Sequence, residues 1–166
     1  MRHRFVFLAC VLCSGILLSG CGAFSGTPYG PLSLFGGGGY RDRELGQGKW
    51  QVRFAANVAS PRGFAGQAAL YRVAELADSQ GFSYFKIVDR EDNDLHGAVA
   101  TSTSMSCCIS TGQLAVLTAV GMQAKDTHIP CEAQRPDVCA IYETKRVLAD
   151  YGPSIHAKVI RRLLSE

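Results

Sequence analysis

Apolar and polar residues alternate from Lys49 to Val58, which is the clearest pattern in the sequence. The apolar positions are Trp50, Val52, Phe54, Ala56 and Val58, separated by Gln51, Arg53 and Asn57 among others. A period of two predicts a strand with one buried face, so we expect Trp50 in the core. From Pro61 to Gln80 the apolar residues instead recur at helical spacing. Ser60 is expected to cap this helix and Gly81 to end it.

The segment after this helix predicts three further strands. Phe82–Asp89 is rich in aromatic and β-branched residues, as strands are, and a polar turn is expected over Arg90–Asp94. The segments Gly97–Met105 and Gln113–Met122 then predict a hairpin. Its loop is expected to hold residues 107–112, which include two adjacent cysteines.

Two helices are predicted at the end of the chain. Asp137 is expected to cap the first, which Gly152 ends, and Pro153 is expected to start the second. The resulting order is β-α-β-β-β-α-α, which predicts a single α+β domain. Its sheet would have about four strands, antiparallel or mixed, with the helices on one face. The first two strands either pair in parallel or flank a central strand.

The N-terminal segment has the pattern of a secretory signal. Arg2 and Arg4 precede an uncharged run from Phe5 to Leu18, which is short for a transmembrane helix of roughly 20 residues. The run ends in Leu18-Ser19-Gly20-Cys21, which resembles the lipobox of bacterial lipoproteins. The resemblance implies cleavage before Cys21 and attachment of fatty acyl chains such as palmitate to that cysteine. Several buried acyl chains hold a protein stably on a membrane.

The residue after the predicted cleavage site is glycine, not aspartate, and the resemblance then implies the outer membrane, with the domain facing the periplasm. Residues 22–39 have no helical or strand period and end in four glycines, which favours a flexible tether. The expected division is a signal peptide over 1–20, a lipidated tether over 21–39 and a domain over 40–166.

The charge of the predicted mature chain is close to balanced. Removing Arg2 and Arg4 from the 17 basic residues leaves 15 against 14 acidic ones. This balance gives no indication of nucleic-acid binding, and no motif indicates a cofactor. The membrane, reached through lipid on Cys21, and an unknown envelope protein or component are the expected partners.

A stretch of motifs resembles a family of small proteobacterial lipoproteins. These motifs are Gly39-Tyr40, Val52-Arg53-Phe54 with Asn57, Tyr71-Arg72-Val73-Ala74-Glu75-Leu76-Ala77, Gly81-Phe82-Ser83-Tyr84-Phe85 and Val88-Asp89. Members carry a lipobox and a tether before a strand–helix–strand unit, and the resemblance covers residues 39–90. The family has no established reaction, so the resemblance implies no catalytic residues. Val73 replaces an expected alanine, and the later cysteines are not part of the pattern.

Four cysteines remain in the predicted mature chain once Cys21 is acylated, namely Cys107, Cys108, Cys131 and Cys139. An even number in an exported chain favours disulfides. Either one bond lies within the 131–139 loop, or two bonds cross from the hairpin to that loop. The alternative is a zinc or copper site that adds His128 to these cysteines. No Cys-x-x-Cys spacing supports that alternative or a thioredoxin-like activity.

Other polar residues indicate ordinary surface roles. His96 and His156 are expected to be solvated, and Arg72 with Glu75 to form a surface ion pair. Glu91, Asp92 and Asp94 are expected in a solvated turn, because their spacing does not match a calcium loop. The last helix, with Lys158, Arg161 and Arg162 on its polar face, either closes the core or lies on a membrane.

No catalytic motif is visible, such as the Gly-x-Ser-x-Gly of hydrolases. The favoured hypothesis is therefore a non-enzymatic lipoprotein anchored to the outer membrane, with a binding or structural role. The alternative is a periplasmic metal-binding or thiol-active protein that uses the four cysteines.

Overall fold

The computed structural model describes residues 26–33, 37–101, 104–125 and 138–163, and of these 96–101, 104–111 and 158–163 by their backbone alone. Within these residues the strands are β1 (Gly39–Gly46), β2 (Lys49–Asn57), β3 (Tyr84–Thr101), β4 (Ser104–Met122) and β5 (Ile141–Glu143). The helices are α1 (Phe64–Ser79) and α2 (Thr144–Leu163). The strands form one antiparallel sheet in the order β1-β2-β4-β3-β5. The predicted α+β class is confirmed, with five strands in place of about four.

Strands β2 and β3 flank β4, which is one of the two arrangements expected for the first two predicted strands. Strands β1 and β5 were not predicted. The first carries charged residues on both faces, and the second has only three residues, so neither shows a periodic apolar pattern. Both depend on long-range pairing, with β2 and β3 respectively.

The predicted polar turn at Arg90–Asp94 is wrong, because β3 runs through it without interruption. Each of these residues faces a residue of β4, from Arg90 opposite Leu117 to Asp94 opposite Gln113. Residues 91–95 are exposed, so their polarity reflects a solvated strand. The predicted loop at 107–112 is wrong for the same reason, since it lies within β4. Strand β3 ends at Thr101 and β4 begins at Ser104.

Helix α1 begins at Phe64, three residues after Pro61, in keeping with the weak helix propensity of Gly63. Gly63 is the N-cap, has a positive φ of 78° and supplies no side-chain cap. Ser60 does not cap the helix. The predicted C-terminal stop is confirmed: the N–H of Gly81 donates to the carbonyl of Asp78 at 3.0 Å, and that of Phe82 to Ala77 at 2.8 Å. These two bonds, with glycine in the left-handed region, are a Schellman motif.

The predicted break at Gly152–Pro153 is absent, because α2 is one helix of 20 residues with Pro153 inside it. A proline removes one backbone hydrogen bond. Here the hydroxyl of Ser154 donates to the carbonyl of Tyr151 at 2.9 Å, and Ile155 is buried just beyond. Both features hold the helix across the proline. Asp137, the predicted cap, lies outside the described residues.

One apolar core lies between the sheet and the helices. The sheet contributes Trp50, Val52, Phe54, Phe85, Ile87 and Leu117, while α2 contributes Val147 and Ile155. Helix α1 packs on them mainly through alanines, among them Ala68, Ala69, Ala74 and Ala77, all fully buried. Small side chains allow the helix to approach the sheet closely. Trp50 is in the core as predicted, with its indole N–H unpaired in the described structure.

Candidate functional site

Residues 26–33, here called the strap, pack against the domain where a flexible tether was predicted over 21–39. Thr27 is completely buried. Its N–H donates to the hydroxyl of Ser60 at 2.8 Å, and its own hydroxyl accepts from the N–H of Asn57 at 2.8 Å. The domain therefore begins before Tyr40, the expected boundary. Residues 21–25 lie outside the described residues.

The strap also extends the sheet at its β1 edge. The N–H of Leu32 donates to the carbonyl of Tyr40 at 2.7 Å, and the N–H of Tyr40 donates to Gly30 at 2.8 Å. These bonds form a short parallel bridge beside β1. Gly38 and Gly39 follow with φ angles of 84° and 127°, a region that favours glycine. Two residues of the glycine run thus allow a close approach of β1 to the strap, since any side chain there would collide with neighbouring backbone.

The partly buried side chain of Tyr29 packs the strap against the core. Its ring packs against those of Tyr40 and Tyr71 at centroid distances of 5.3 Å each, and against Phe54 at 6.1 Å. Its hydroxyl donates to Oε2 of Glu75 at 2.5 Å. Burial first, and then the hydrogen bond to the Glu75 carboxylate, raise the pKa of Tyr29 far above its usual range. The phenol is therefore held in its protonated form.

Arg72 joins this contact to β1. Its guanidinium donates to Oε2 of Glu75 at 2.9 Å and, through two nitrogens, to Asp42 at 3.0 and 3.4 Å. The same group lies over the ring of Tyr40, 4.3 Å from its centroid. We call Tyr29, Asp42, Arg72 and Glu75 the Arg72 cluster. Hydrogen bonds to two carboxylates outweigh the effect of burial and raise the pKa of Arg72.

The predicted ion pair between Arg72 and Glu75 is present, although it is not an isolated surface pair. The side chains of Arg72, Asp42 and Glu75 are 21%, 26% and 29% exposed. Two-nitrogen contacts between arginine and carboxylate are among the stronger charged hydrogen bonds. The cluster therefore connects the strap, β1 and α1 in one network.

His156 is exposed, as expected, and its ring also packs against the same aromatic group. Its Nε2 lies 3.1 Å from the hydroxyl of Tyr71, and its ring lies 5.7 Å from that of Tyr29. These contacts join α2 to α1 and to the strap. His96, the other predicted solvated histidine, has its side chain outside the described part.

This arrangement is suited to holding chain segments together. The Tyr29 hydroxyl and both carboxylates of the Arg72 cluster make their contacts within the cluster. Among the described residues, no group of three or more histidine, cysteine or acidic side chains is arranged to hold a metal ion. We interpret the cluster as a non-covalent attachment between the fold and the segment that follows Cys21.

Cys139 begins the far edge of the sheet and is disulfide-bonded. Its N–H donates to the carbonyl of Ile87 at 2.7 Å, while the N–H of Ile87 donates to Ala140 at 3.1 Å. Cys139 and Ala140 thus both face Ile87, which is the pattern of a β-bulge. In the bulge type whose first residue has a left-handed conformation, that residue is usually glycine. Cys139 takes that position with a φ of 77°. Its sulfur is therefore not available as a metal-binding thiolate.

The backbone register indicates which cysteine is bonded to Cys139. Cys107 and Cys108 lie on β4 beside Ile109, which faces Gly97 on β3. Gly97 is ten positions beyond Ile87, or about 30 Å along a strand, whereas bonded cysteines have Cα atoms within about 7 Å. The register therefore argues against Cys107 and Cys108 as partners of Cys139, and we predict Cys131 as its partner. That residue and His128 lie outside the described residues, as do the side chains of the adjacent pair.

The acidic residues expected in a turn lie on β3. Arg90 donates to Asp92 at 2.6 Å, and Asn93 donates to Glu91 at 2.7 Å. Asp94 is exposed. These contacts join neighbours of one solvated strand, and the three carboxylates do not converge on a common point.

Sequence reasoning missed Tyr29 and Asp42 as members of the cluster. Both lie in segments without an apolar period, and their partners are more than 29 residues away. One available signal was Thr27-Pro28-Tyr29, where a proline and an aromatic residue interrupt a stretch of small residues.

Comparisons of the chain with protein-family models, curated proteins and solved structures find no match. The resemblance to small proteobacterial lipoproteins therefore stays a prediction. None of the helices that the structure describes is long and apolar enough to cross a membrane. For α2, burial of Ile155 favours the interpretation that it closes the core; the side chains of Lys158, Arg161 and Arg162 lie outside the described residues.

Proposed function

We propose that the chain is a lipid-anchored protein of the outer membrane, whose domain faces the periplasm and has a binding or structural role. The anchor is an acylated Cys21 exposed by removal of residues 1–20. The observation that carries the proposal is the strap. The segment directly after the predicted anchor is built into the fold, so the anchor is attached to the domain itself.

The length of the connection supports a position close to the membrane. Five residue steps separate Cys21 from Gly26, where the described strap begins. A fully extended chain spans at most about 3.6 Å per residue, so Gly26 lies within about 18 Å of the acylated residue. Such a reach keeps the domain at the membrane surface.

The Arg72 cluster supports a role other than catalysis. A general acid or base has to be within reach of a substrate, yet the Tyr29 hydroxyl donates to Glu75, and its ring packs between other aromatic rings. Glu75 in turn is paired with Arg72. The cluster therefore supports attachment of the strap.

Fractionation of a Gram-negative host that expresses the full chain tests the proposal. We expect the chain in the outer-membrane fraction, released by detergent but not by salt. Mass analysis of the N-terminal peptide should give a chain that begins at Cys21 and carries acyl groups.

Two variants make the result specific. Cys21→Ser removes the acylated thiol and should abolish the lipid-bearing peptide, while Ser19→Ala keeps a small residue before the cleavage site and should be processed normally. An unacylated N-terminal peptide in the wild-type chain would refute the proposal, as would a Cys21→Ser chain that fractionates and is processed like the wild type.

A further inference from the structure

Four basic side chains share the face of β1 and β2 that is turned away from the helices. They are Arg41 and Arg43 on β1 with Lys49 and Arg53 on β2, here called the basic patch, and all four are exposed. Arg41 lies directly opposite Arg53 in the antiparallel register, and Arg43 lies opposite Gln51. The patch is therefore a fixed consequence of the register of these two strands.

The basic patch has no neutralising partner among the described residues. Arg72, Arg90, Lys145 and Arg146 each contact a carboxylate, but no ion pair includes a member of the patch. Like charges directly opposite each other destabilise a sheet. The arrangement therefore costs stability in the isolated domain and is suited to an anionic ligand.

Apolar surface adjoins the patch. Arg41 and Arg53 line a shallow depression of about 320 Å³ together with Leu32, Gly39 and Ala55. The next strand on this face, β4, presents the half-buried side chains of Leu114, Val116 and Val120, which pair in register with residues of β2. The face thus combines guanidinium groups with a flat apolar strip.

The charge changes sign across the sheet. On the same face, Asp89 pairs in register with Thr118 and Glu91 with Val116, and both acids are exposed. The exposed basic side chains of this face therefore lie on β1 and β2, while the half-buried Lys86, opposite Val120, adds one basic residue on β3. Leu32 of the strap adjoins Arg41 and Arg53 at this edge, so the strap borders the basic patch.

We propose that the basic patch docks on the phosphate groups of anionic lipids in the membrane that carries the anchor. This inference rests on the proposed lipid attachment at Cys21. The short connection brings the edge to the headgroups, and arginine forks bind phosphate oxygens through two nitrogens. Each basic side chain near an anionic surface strengthens binding about fivefold. The sheet edge, and not only the acyl chains, then sets the orientation of the domain.

Amine footprinting of the acylated chain tests the docking. The protein is purified from membranes and reconstituted in vesicles of phosphatidylcholine, with or without phosphatidylglycerol. An amine-reactive reagent then reports on Lys49 within the patch, with the exposed Lys145 on α2 as internal reference. We expect Lys49 to react several-fold more slowly on the anionic vesicles, while Lys145 reacts at the same rate on both.

Charge variants identify the residues responsible. Arg41→Gln with Arg53→Gln should remove the protection of Lys49, because two basic groups together account for about a 25-fold difference in binding. The matched control, Arg62→Gln with Arg146→Gln, removes two exposed arginines elsewhere and should keep the protection. Circular dichroism spectra identical to wild type would show that both double variants fold.

The outcomes separate this inference from the proposed function. A chain that does not associate with neutral vesicles has no lipid anchor, and both proposals then fail. Docking alone fails if an anchored chain shows equal reactivity of Lys49 on both vesicles, or if the two double variants lose protection equally. Docking at the lipid surface also fails if free inorganic phosphate, at the phosphate concentration of the vesicles, protects Lys49 to the same extent.

Discussion

At the β1 edge of the sheet, ion pairs and aromatic rings hold the strap against the domain. The β5 edge instead follows the disulfide-bonded Cys139, whose φ is positive. At the β1 edge the strap pairs with β1, and Tyr29, Asp42, Arg72 and Glu75 contact one another. At the β5 edge only three residues pair with β3, beside Cys139 with its φ of 77°. The β1 edge is held by the strap and the Arg72 cluster. The β5 edge is held by pairing with β3, by the hydrogen bond from the Thr144 hydroxyl to the carbonyl of Phe82, and by the disulfide of Cys139.

The comparison teaches how one short strand serves two purposes. On β1, Tyr40 and Asp42 lie on the face of the sheet that contacts Arg72 of α1. Arg41 and Arg43 lie on the other face of the sheet. Successive side chains of a strand point to opposite faces, so the register that brings Asp42 to Arg72 also places Arg41 opposite Arg53. A slip of one residue would exchange the two sets.

The largest expected effect at the β1 edge comes from Tyr29→Ala. The substitution removes a ring packed against four aromatic side chains and a hydrogen bond to Glu75. We expect a loss of about 2–4 kcal/mol in the free energy of unfolding, measured by urea denaturation. Tyr29→Phe keeps the ring and should lose only about 1–2 kcal/mol. Equal losses in the two variants would mean that the ring contributes nothing.

The β5 edge should respond to loss of its disulfide. With Cys131 as partner the closed loop is short, and Cys131→Ser should lower the free energy of unfolding by about 2–3 kcal/mol. Peptide mapping without reductant checks the pairing directly, with a linked pair of peptides that contain Cys131 and Cys139. A linkage between Cys139 and either Cys107 or Cys108 would contradict the register in the structure.

A second substitution sharpens the account of this edge. In the Cys131→Ser chain, Cys139→Gly should be about 1 kcal/mol more stable than Cys139→Ser, because only glycine adopts a positive φ without strain. The comparison keeps the disulfide absent in both chains. Equal stability, read from urea midpoints, would argue against the bulge.

The β1 edge should also respond to alkaline pH. Burial and Glu75 hold the pKa of Tyr29 above the value of about 10 found in unfolded chains, and burial followed by Glu75 raises that of Tyr71. The folded protein then keeps protons that the unfolded chain releases. This contribution to stability is present below pH 10 and is lost above it, at up to about 1.4 kcal/mol per pH unit for each tyrosine. In Tyr29→Phe the decline should be shallower, and an unchanged pH profile of urea midpoints would contradict the assignment.

The smallest expected effect lies on the open face of the same edge. Arg53→Gln removes the like charge opposite Arg41 and should raise the free energy of unfolding by a few tenths of a kcal/mol at low salt. The control is Arg62→Gln. Arg62 is exposed and has no basic residue paired across from it in the sheet, so its replacement should have no effect. A loss of stability in Arg53→Gln would indicate a partner for this arginine within the domain.

Elements with a local pattern could be predicted from the sequence. The alternation from Lys49 to Val58 predicted β2, which ends at Asn57, the helical spacing of apolar residues predicted α1, and Gly81 ended that helix as expected. Each of these signals lies within a few residues of the element. The α+β class follows from them, because they fix one apolar face on the sheet and one on the helix.

Elements defined by distant partners were not predictable in this way. The β1 strand has no apolar period because Asp42 is satisfied by Arg72, and the exposed residues 90–94 have the composition of a turn although β4 pairs with them. Pro153 indicated a helix boundary, but burial of Ile155 carries α2 past it. The strap was not predicted because the segment is rich in glycine; two of these glycines, Gly38 and Gly39, have positive φ and no room for a side chain.

Limited proteolysis of the acylated chain on vesicles tests most directly whether the strap belongs to the fold. Chymotrypsin cleaves after aromatic and leucine side chains, and Tyr29 and Leu32 offer such sites within the strap. We predict that neither bond is cut in the folded wild-type chain, while Tyr29→Ala, which opens the strap, is cut after Leu32. Rapid cleavage after Tyr29 or Leu32 in the wild type, with release of an otherwise folded domain, would contradict this account and restore a flexible tether.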